Sequence, residues 1–473
     1  MSANHGVFIE QGPSDWQIVQ QDGEGWGAFT VSGRYAMPAD HSRPMVYIRL
    51  VQTANAAPVA RHLDWQPVET RADGAWSATI SGIPAGGLYR LETQLRADRP
   101  PAQGKAYCPE WAMRGDARDF LGVGDLWVIA GQSNSAGYGK GVIEDPPELG
   151  VHLLANSLRW RLASHPFNDS TDTAHPVNTE WANSGHAPWL QFARSVKRAV
   201  NHPVGLLQTS MGGSPLKRWN PREGQPGAAD LHDNMVEVVR AVGGKVRGIL
   251  WYQGCSDTGP DESATYLTRF TDAVAAWRDA LGNPGLPVIT VQINRVTSPQ
   301  TDVAHEGWTR VREAQRQAAR NLPGVIVVPS SDLSLSDLIH TSPAGNLLLG
   351  QRAAEAALDR VYGLPRDWRA PEIDRVVLGS DRRRVTLTVI HVSGALRSAD
   401  DSHQPFRIVD SSGVVPVERV AYEGARIELE LGRPVESPAT LTLGYGAHPP
   451  LLPVDMTRNL PMLACAGMPI EGS

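Results

Sequence analysis

Four short blocks of the chain carry residue types suited to acyl transfer. The first is Asp125–Gly137, where the apolar run Leu126–Ala130 breaks at Gly131 and presents Gln132, Ser133 and Asn134. Small polar residues after a strand-ending glycine put a hydroxyl at the carboxyl edge of a sheet, where open α/β folds hold their ligands. Ser133 is therefore the candidate nucleophile. The second block is Gly212-Gly213-Ser214, the third is Trp251–Gly254 with Gln253, and the fourth pairs Asp337 with His340. Serine-type hydrolysis needs a nucleophile, a base, an orienting carboxylate and donors for an oxyanion, and these blocks offer all of them. Each also has a plainer reading: Ser133 or Asp337 as a helix cap, His340 as a half-buried histidine with its bonds satisfied. Four blocks in order, each at a predicted strand end, favour the chemical reading. Asp332 is a rival carboxylate, but the three-residue spacing to His340 favours Asp337.

Other chemistries fit less well. A P-loop needs Gly-x-x-x-x-Gly-Lys-Ser/Thr, yet Lys140 is followed by Gly141, and Asn134 stands where the first glycine belongs. In the dinucleotide pattern Gly-x-Gly-x-x-Gly, Ser133 takes the second glycine position. The pentad from Gly131 ends in Ser135, so the nucleophile elbow Gly-x-Ser-x-Gly is unmet and the α/β-hydrolase fold is disfavoured. Cys255 has no histidine near it in sequence and is not read as a nucleophile. His165, Asp169, Asp172 and His175 match no zinc or calcium spacing, so neither a metal nor another cofactor is expected.

The elements that must position these residues follow from periodicity. Apolar runs at Leu126–Ala130, Val204–Gln208, Gly248–Tyr252, Val288–Ile293 and Val325–Val328 predict five strands of a mostly parallel sheet. Helical stripes lie between them: Trp189, Phe192, Ala193, Val196 and Val200; then Met235, Val238, Val239 and Val242; then Tyr266 to Leu281, with Ser263 as its cap. A weaker stripe runs from Trp308 to Leu322, and a helix is expected from about Ser342, which precedes Pro343. The polar segment Lys140–Ala187 reads as a solvated loop over the sheet edge. Residues 1–118 show alternating runs such as Val46, Ile48 and Leu50 and read as a β-sandwich, with Trp65 and Trp76 in its core. Pro100, Pro101 and Gly104 mark a linker. Residues 119–366 form the α/β unit, and 367–473 return to alternation as a second β-sandwich-like unit. The ends of parallel strands converge on one edge, so the four blocks can meet there.

The bulk properties restrict the partners. The chain has 473 residues, 41% of them hydrophobic and 20% charged, with a formal net charge of −6 and a pI near 6.2. That balance gives no electrostatic case for nucleic acid or an anionic membrane. No apolar run reaches the length of a membrane span. The start lacks the features of a signal peptide, and Cys108, Cys255 and Cys465 do not suggest a disulfide framework. A cytoplasmic setting is the expectation, with self-association through the β units as an option.

Read together, the blocks resemble the SGNH hydrolase superfamily, and more narrowly the sialate O-acetylesterase-like and acetylxylan-esterase-like carbohydrate esterases. That group carries Gly-Gln-Ser-Asn, Gly-Gly-Ser/Thr with a downstream Trp, Trp-Tyr-Gln-Gly-Glu and a late Asp/His pair. This chain matches at Gly131–Asn134, Gly212–Ser214 with Trp219, Trp251–Gly254, and Asp337 with His340. The resemblance implies a three-layer α/β/α SGNH domain, flavodoxin-like, with a mostly parallel five-stranded sheet, flanked here by all-β domains. It implies Ser133 as nucleophile, His340 as general base and acid, and Asp337 as its orienting partner. The oxyanion would meet the N–H of Ser133, that of Gly212 or Gly213, and the Gln253 amide, which takes the place of an Asn in other SGNH enzymes.

Two departures stand out. Cys255 replaces the usual Glu, and the Asp-x-x-His spacing is closer to the plant and xylan-type members than to the Asp-x-His of sialate esterases. The expected activity is hydrolysis of O-acetyl or short acyl esters on a small-molecule or oligosaccharide substrate. A non-sugar acyl ester, or a catalytically idle sugar-binding protein, is the alternative. Gln132, Asn134, Trp219, Arg218 and Arg295 are the candidate substrate contacts, the two arginines as partners for an acidic sugar.

Overall fold

Leu126, Trp127, Val128, Ile129 and Ala130 are all fully buried, as a central strand of a parallel sheet requires. The computed structural model describes residues 5–100, 110–180, 184–225, 227–400 and 402–472. Pro101, Gly104 and Cys108 lie outside the described residues.

The apolar run ends the long strand Glu110–Gly131, which pairs in parallel with Val204–Gln208 on one side and Gly248–Tyr252 on the other. Val288–Val291 and Val325–Val328 extend the sheet in parallel beyond Gly248–Tyr252. On the opposite side the sheet continues through Val151–Leu154, also parallel, to an antiparallel edge strand, Trp160–Leu162. These last two strands correct the reading of 140–187 as a solvated loop. Val151-His-Leu-Leu154 is too short for its pattern to stand out among polar neighbours, yet all four residues are buried, His152 included.

The helices are α1 (Ser133–Ala136), α2 (Trp189–Val200), α3 (Asp230–Ala241), α4 (Pro260–Ala280), α5 (Asp302–Asn321) and α6 (Pro343–Arg360). α2 packs on α6 and α4 on α5, giving a mixed α/β arrangement around one apolar cluster. Each Val, Leu, Ile or Phe buried there contributes roughly 1.5–3 kcal/mol. α6 begins as expected, its N-cap Ser342 accepting from the Gly345 N–H at 3.1 Å, with Pro343 in the first turn. Ser263 does not cap α4. That helix starts three residues earlier, with Gly259 as N-cap and Pro260 fixing the first turn, and the Ser263 hydroxyl donates to the Pro260 carbonyl at 3.3 Å.

The same long strand also leads a second life. Its first half pairs antiparallel with Gly86–Asp98, and Ile18–Gln20 joins at Gly122–Gly124. Position 118/119 thus falls inside one strand shared by the amino-terminal and central sheets. Val7, Val31 and Trp76 from one amino-terminal sheet meet Val46, Leu91 and Leu121 from the other in a separate core. Arg49 lies over Trp65 at 4.6 Å. A third core joins the sheets around Arg384–Ile390 and Phe406–Asp410. The fully buried Arg312 of α5 ties this last unit to the central sheet, donating to the Ile293, Asn294 and Gly446 carbonyls at 3.0, 2.6 and 2.6 Å.

Asp145 holds the 140–187 segment in place. Its side chain is 2% exposed, and its carboxylate meets His165 Nε2 at 2.9 Å, His186 Nε2 at 3.0 Å and Arg194 Nη2 at 2.5 Å. Burial pushes this carboxyl up, but the two histidines and Arg194 outweigh it and hold it well below the usual range. Asp145→Asn leaves Arg194 buried without its counter-charge, so we expect a loss of about 3 kcal/mol in urea unfolding at neutral pH. A depressed carboxyl contributes stability above its unfolded pKa, and that contribution is lost as pH falls through the folded value. The gap between wild type and variant should therefore narrow on acidification below about pH 4. A variant with an unchanged urea midpoint would remove Asp145 from this role.

Candidate active site

The chain turns sharply after its central strand because Gly131 adopts φ 113°, and a Cβ there would stand 2.4 Å from the Tyr252 carbonyl oxygen. Only glycine fits this close approach. Ser133 then opens the single turn of α1, which ends at Gly137 with φ 97°. Trp189 anchors the turn from α2, its indole N–H donating to the Ser135 carbonyl at 2.9 Å.

Ser133 Oγ lies 2.9 Å from His340 Nε2, and His340 Nδ1 lies 2.7 Å from Asp337 Oδ2. The other Asp337 oxygen accepts the Ile339 and His340 N–H groups at 2.9 and 2.7 Å. Burial raises the Asp337 carboxyl, but the His340 ring and these two N–H groups outweigh that and keep it below the usual range. Asp332, the rival, is engaged elsewhere, by Arg352 through two bonds of 2.7 Å. A hydroxyl, an imidazole and a carboxylate in this line can pass a proton from Ser133 to His340 while Asp337 stabilises the charge.

Several expected contacts have other jobs. Gln132 and Asn134 brace the neighbouring loops. Gln132 Oε1 accepts the Gly254 and Ser256 N–H groups at 3.1 and 3.2 Å. Asn134 Oδ1 accepts from the Thr341 N–H at 2.9 Å, and its amide donates to the Ile339 carbonyl at 3.3 Å. Trp219 is fully buried beside Trp251, with its indole N–H on Ser214 Oγ at 3.0 Å, so it packs rather than stacks on a sugar. Arg218 pairs with both oxygens of Asp230 at 2.8 and 2.7 Å, and Arg295 donates to the Ser331 carbonyl at 2.5 Å.

Gln253 departs most from expectation. It is fully buried, and its amide nitrogen donates to Asp257 Oδ2 at 2.5 Å and to the Ser214 carbonyl at 3.2 Å. Its oxygen accepts from the Tyr266 hydroxyl at 2.9 Å. Both amide hydrogens are committed, leaving none for an oxyanion. Sequence reasoning passed over Asp257, whose buried carboxylate also takes the Leu216 N–H at 2.8 Å and Arg269 at 2.9 Å. A carboxylate thus reaches Gln253 from two residues beyond Cys255, whose thiol burial pushes up to about 12.

Two further residues line the site without having been anticipated. The Tyr138 ring lies 5.1 Å from the His340 ring, and its hydroxyl donates to the Glu180 carboxylate, which also accepts the Gly212 N–H. Glu180 lay in a stretch with no periodicity to single it out. Gly213 follows with φ 63°, and nothing stands within 4 Å of where its Cβ would be. Asp145, His165 and His186 are near enough together to consider as metal ligands. However, His165 Nδ1 accepts the Ala187 N–H at 3.3 Å, so its Nε2 must carry the proton given to Asp145. Arg194 already supplies a counter-charge to Asp145.

The family described as carbohydrate esterase, sialic acid-specific acetylesterase, matches residues 123–359. A probable carbohydrate esterase of Arabidopsis thaliana is 29% identical over 258 residues, 49% of this chain and 90% of that protein. Human sialate O-acetylesterase is 23% identical over 230 residues, and the match spans 40% of this chain and 43% of the human protein. The crystal structure of a carbohydrate acetylesterase from Xanthomonas citri superposes with a TM-score of 0.63 at 19% identity, covering 96% of this chain and 97% of that one. At that identity the likeness speaks for the fold.

The committed amide of Gln253 has a measurable consequence. Gln253→Ala empties a sealed site and strips Asp257 and Tyr266 of partners, so stability should fall by about 2–4 kcal/mol, seen as a lower melting temperature. A variant that melts like wild type yet turns over about a hundredfold more slowly would instead mark Gln253 as a direct oxyanion donor.

Proposed function

The chain belongs to the sialic acid-specific acetylesterase family of carbohydrate esterases, and from that premise we propose that it removes acetyl or other short acyl groups from carbohydrate hydroxyls by a serine mechanism. Family membership makes it a carboxylic ester hydrolase. The observation that carries the finer reading is the continuous line Ser133 Oγ, His340 Nε2 and Nδ1, Asp337 Oδ2, with contacts of 2.9 and 2.7 Å.

In this reading Ser133 Oγ attacks the ester carbonyl while His340 Nε2 takes its proton. The tetrahedral oxyanion is met by the Ser133 N–H, in the first turn of α1 where no intrahelical acceptor exists, and by the N–H of Gly212 or Gly213. Collapse breaks the bond to the sugar oxygen, which takes the proton from His340. The acyl-serine is then hydrolysed by water with His340 again as base. Asp337 keeps the tautomer that leaves Nε2 free to accept. The domain reading has 119–366 as an SGNH three-layer unit, with 1–118 and 367–473 as flanking β units that position its rim.

Ser133→Ala should lower hydrolysis of p-nitrophenyl acetate and acetate release from acetylated sugars by about four decades or more, with an unchanged melting curve. Asp337→Asn should cost about three to four decades in kcat, because the imidazole then takes the wrong tautomer. Near-wild-type turnover in either variant would overturn the assignment.

A further inference from the structure

Resting on the serine-esterase reading above, the surroundings of Gly212 also bear on which acyl acceptor the site takes. The Gly212 N–H, one of the two glycine donors available to the oxyanion, is occupied by Glu180 Oε1, while the Tyr138 hydroxyl donates to Glu180 Oε2. A Cβ on Gly212 would stand 2.9 Å from both Glu180 Oε1 and the Tyr138 hydroxyl oxygen, so this seat exists only on glycine. The Glu180 backbone is itself fixed, its N–H donating to Ser170 Oγ at 2.8 Å. Through Tyr138, whose ring is 5.1 Å from that of His340, the carboxylate adjoins the reacting groups.

An ester that places its oxyanion on the Gly212 N–H must take that donor from Glu180. A half-buried carboxylate that loses a donor needs another one. A hydroxyl or ammonium group of the acyl acceptor supplies it. A carboxylate on the acceptor has no proton to give and adds like-charge repulsion. Arg218, one arginine that could offset that repulsion, is paired with both oxygens of Asp230. We infer that Glu180 is a specificity-determining residue that exchanges the Gly212 N–H for a hydroxyl or ammonium donor of the sugar, so that the enzyme selects O-acylated neutral or amino sugars over sugar acids. Burial pushes the Glu180 carboxyl up, while the Gly212 and Tyr138 donors favour its charged form.

The test compares methyl 3-O-acetyl-glucoside with methyl 3-O-acetyl-glucuronide, which differ only at C6, on the full chain as wild type, Glu180→Gln and Ser133→Ala. Wild type should favour the glucoside by about tenfold or more in kcat/KM. In Glu180→Gln the ratio should fall to within about threefold, mainly through faster glucuronide turnover. Equal wild-type kcat/KM for the two sugars overturns the inference whether or not the variant folds, and so does an unchanged ratio in a folded Glu180→Gln. Ser133→Ala separates the two failures. Retained hydrolysis removes the serine reading and this inference with it, whereas lost hydrolysis with an unmoved sugar ratio removes the inference alone.

Discussion

The placement of His340 depends on one buried amide, Asn134. Ser133 and His340 are 207 positions apart in the chain, yet their side chains meet at 2.9 Å. Asn134 holds the backbone on both sides of the histidine, accepting from the Thr341 N–H and donating to the Ile339 carbonyl. Those two bonds tie the loop to the residue after Ser133, so Ser133 and His340 are positioned through one connected set of bonds. Gln132 does the same on the other flank by accepting from Gly254 and Ser256. Gly-Gln-Ser-Asn is thus one hydroxyl between two brackets, with Gly131 providing the turn. Holding reacting groups in place before substrate arrives is where much of a catalyst's advantage lies.

The sequence made the central sheet readable because its strands are continuous apolar runs and its helices carry clear stripes. Leu126–Ala130, Val204–Gln208 and Gly248–Tyr252 needed no tertiary information to be found, whereas Ser133 and the Asp337/His340 pair follow strands that are not neighbours: two strands separate Glu110–Gly131 from Val325–Val328, and the loop after the latter carries His340 back to Ser133. Val151–Leu154 and Trp160–Leu162 escaped notice because strands of three or four residues leave too few positions for a period. Which way a polar side chain points was not legible at all. Gln132, Asn134, Gln253 and Trp219 have residue types equally suited to touching a sugar or bracing a loop. Only the packing decides, and it sends all four inward. Asp257 and Glu180 were missed for the complementary reason: a carboxylate in a loop is unremarkable until its donors arrive from distant segments.

Asp257 and Glu180 differ in what completes them, and this separates scaffold from site. Asp257 is sealed, with Arg269 as counter-charge and Leu216 and Gln253 as donors, so both carboxylate oxygens are engaged by the protein. Such a group can only brace, and Gln253 shares that fate because its amide hydrogens end there. Glu180 instead rests on a phenol and the backbone N–H of Gly212, in the glycine loop that follows Val204–Gln208. A carboxylate oxygen on an N–H has the charge and geometry of an oxyanion, so the free site already holds an internal stand-in for the charge it is built to stabilise. In the proposed reaction substrate competes with this anion for the Gly212 N–H, and the outcome depends on what the incoming molecule gives the displaced carboxylate. On that proposal the hydrogen bond between Glu180 and Gly212 couples ester binding to the chemistry of the sugar that carries the ester.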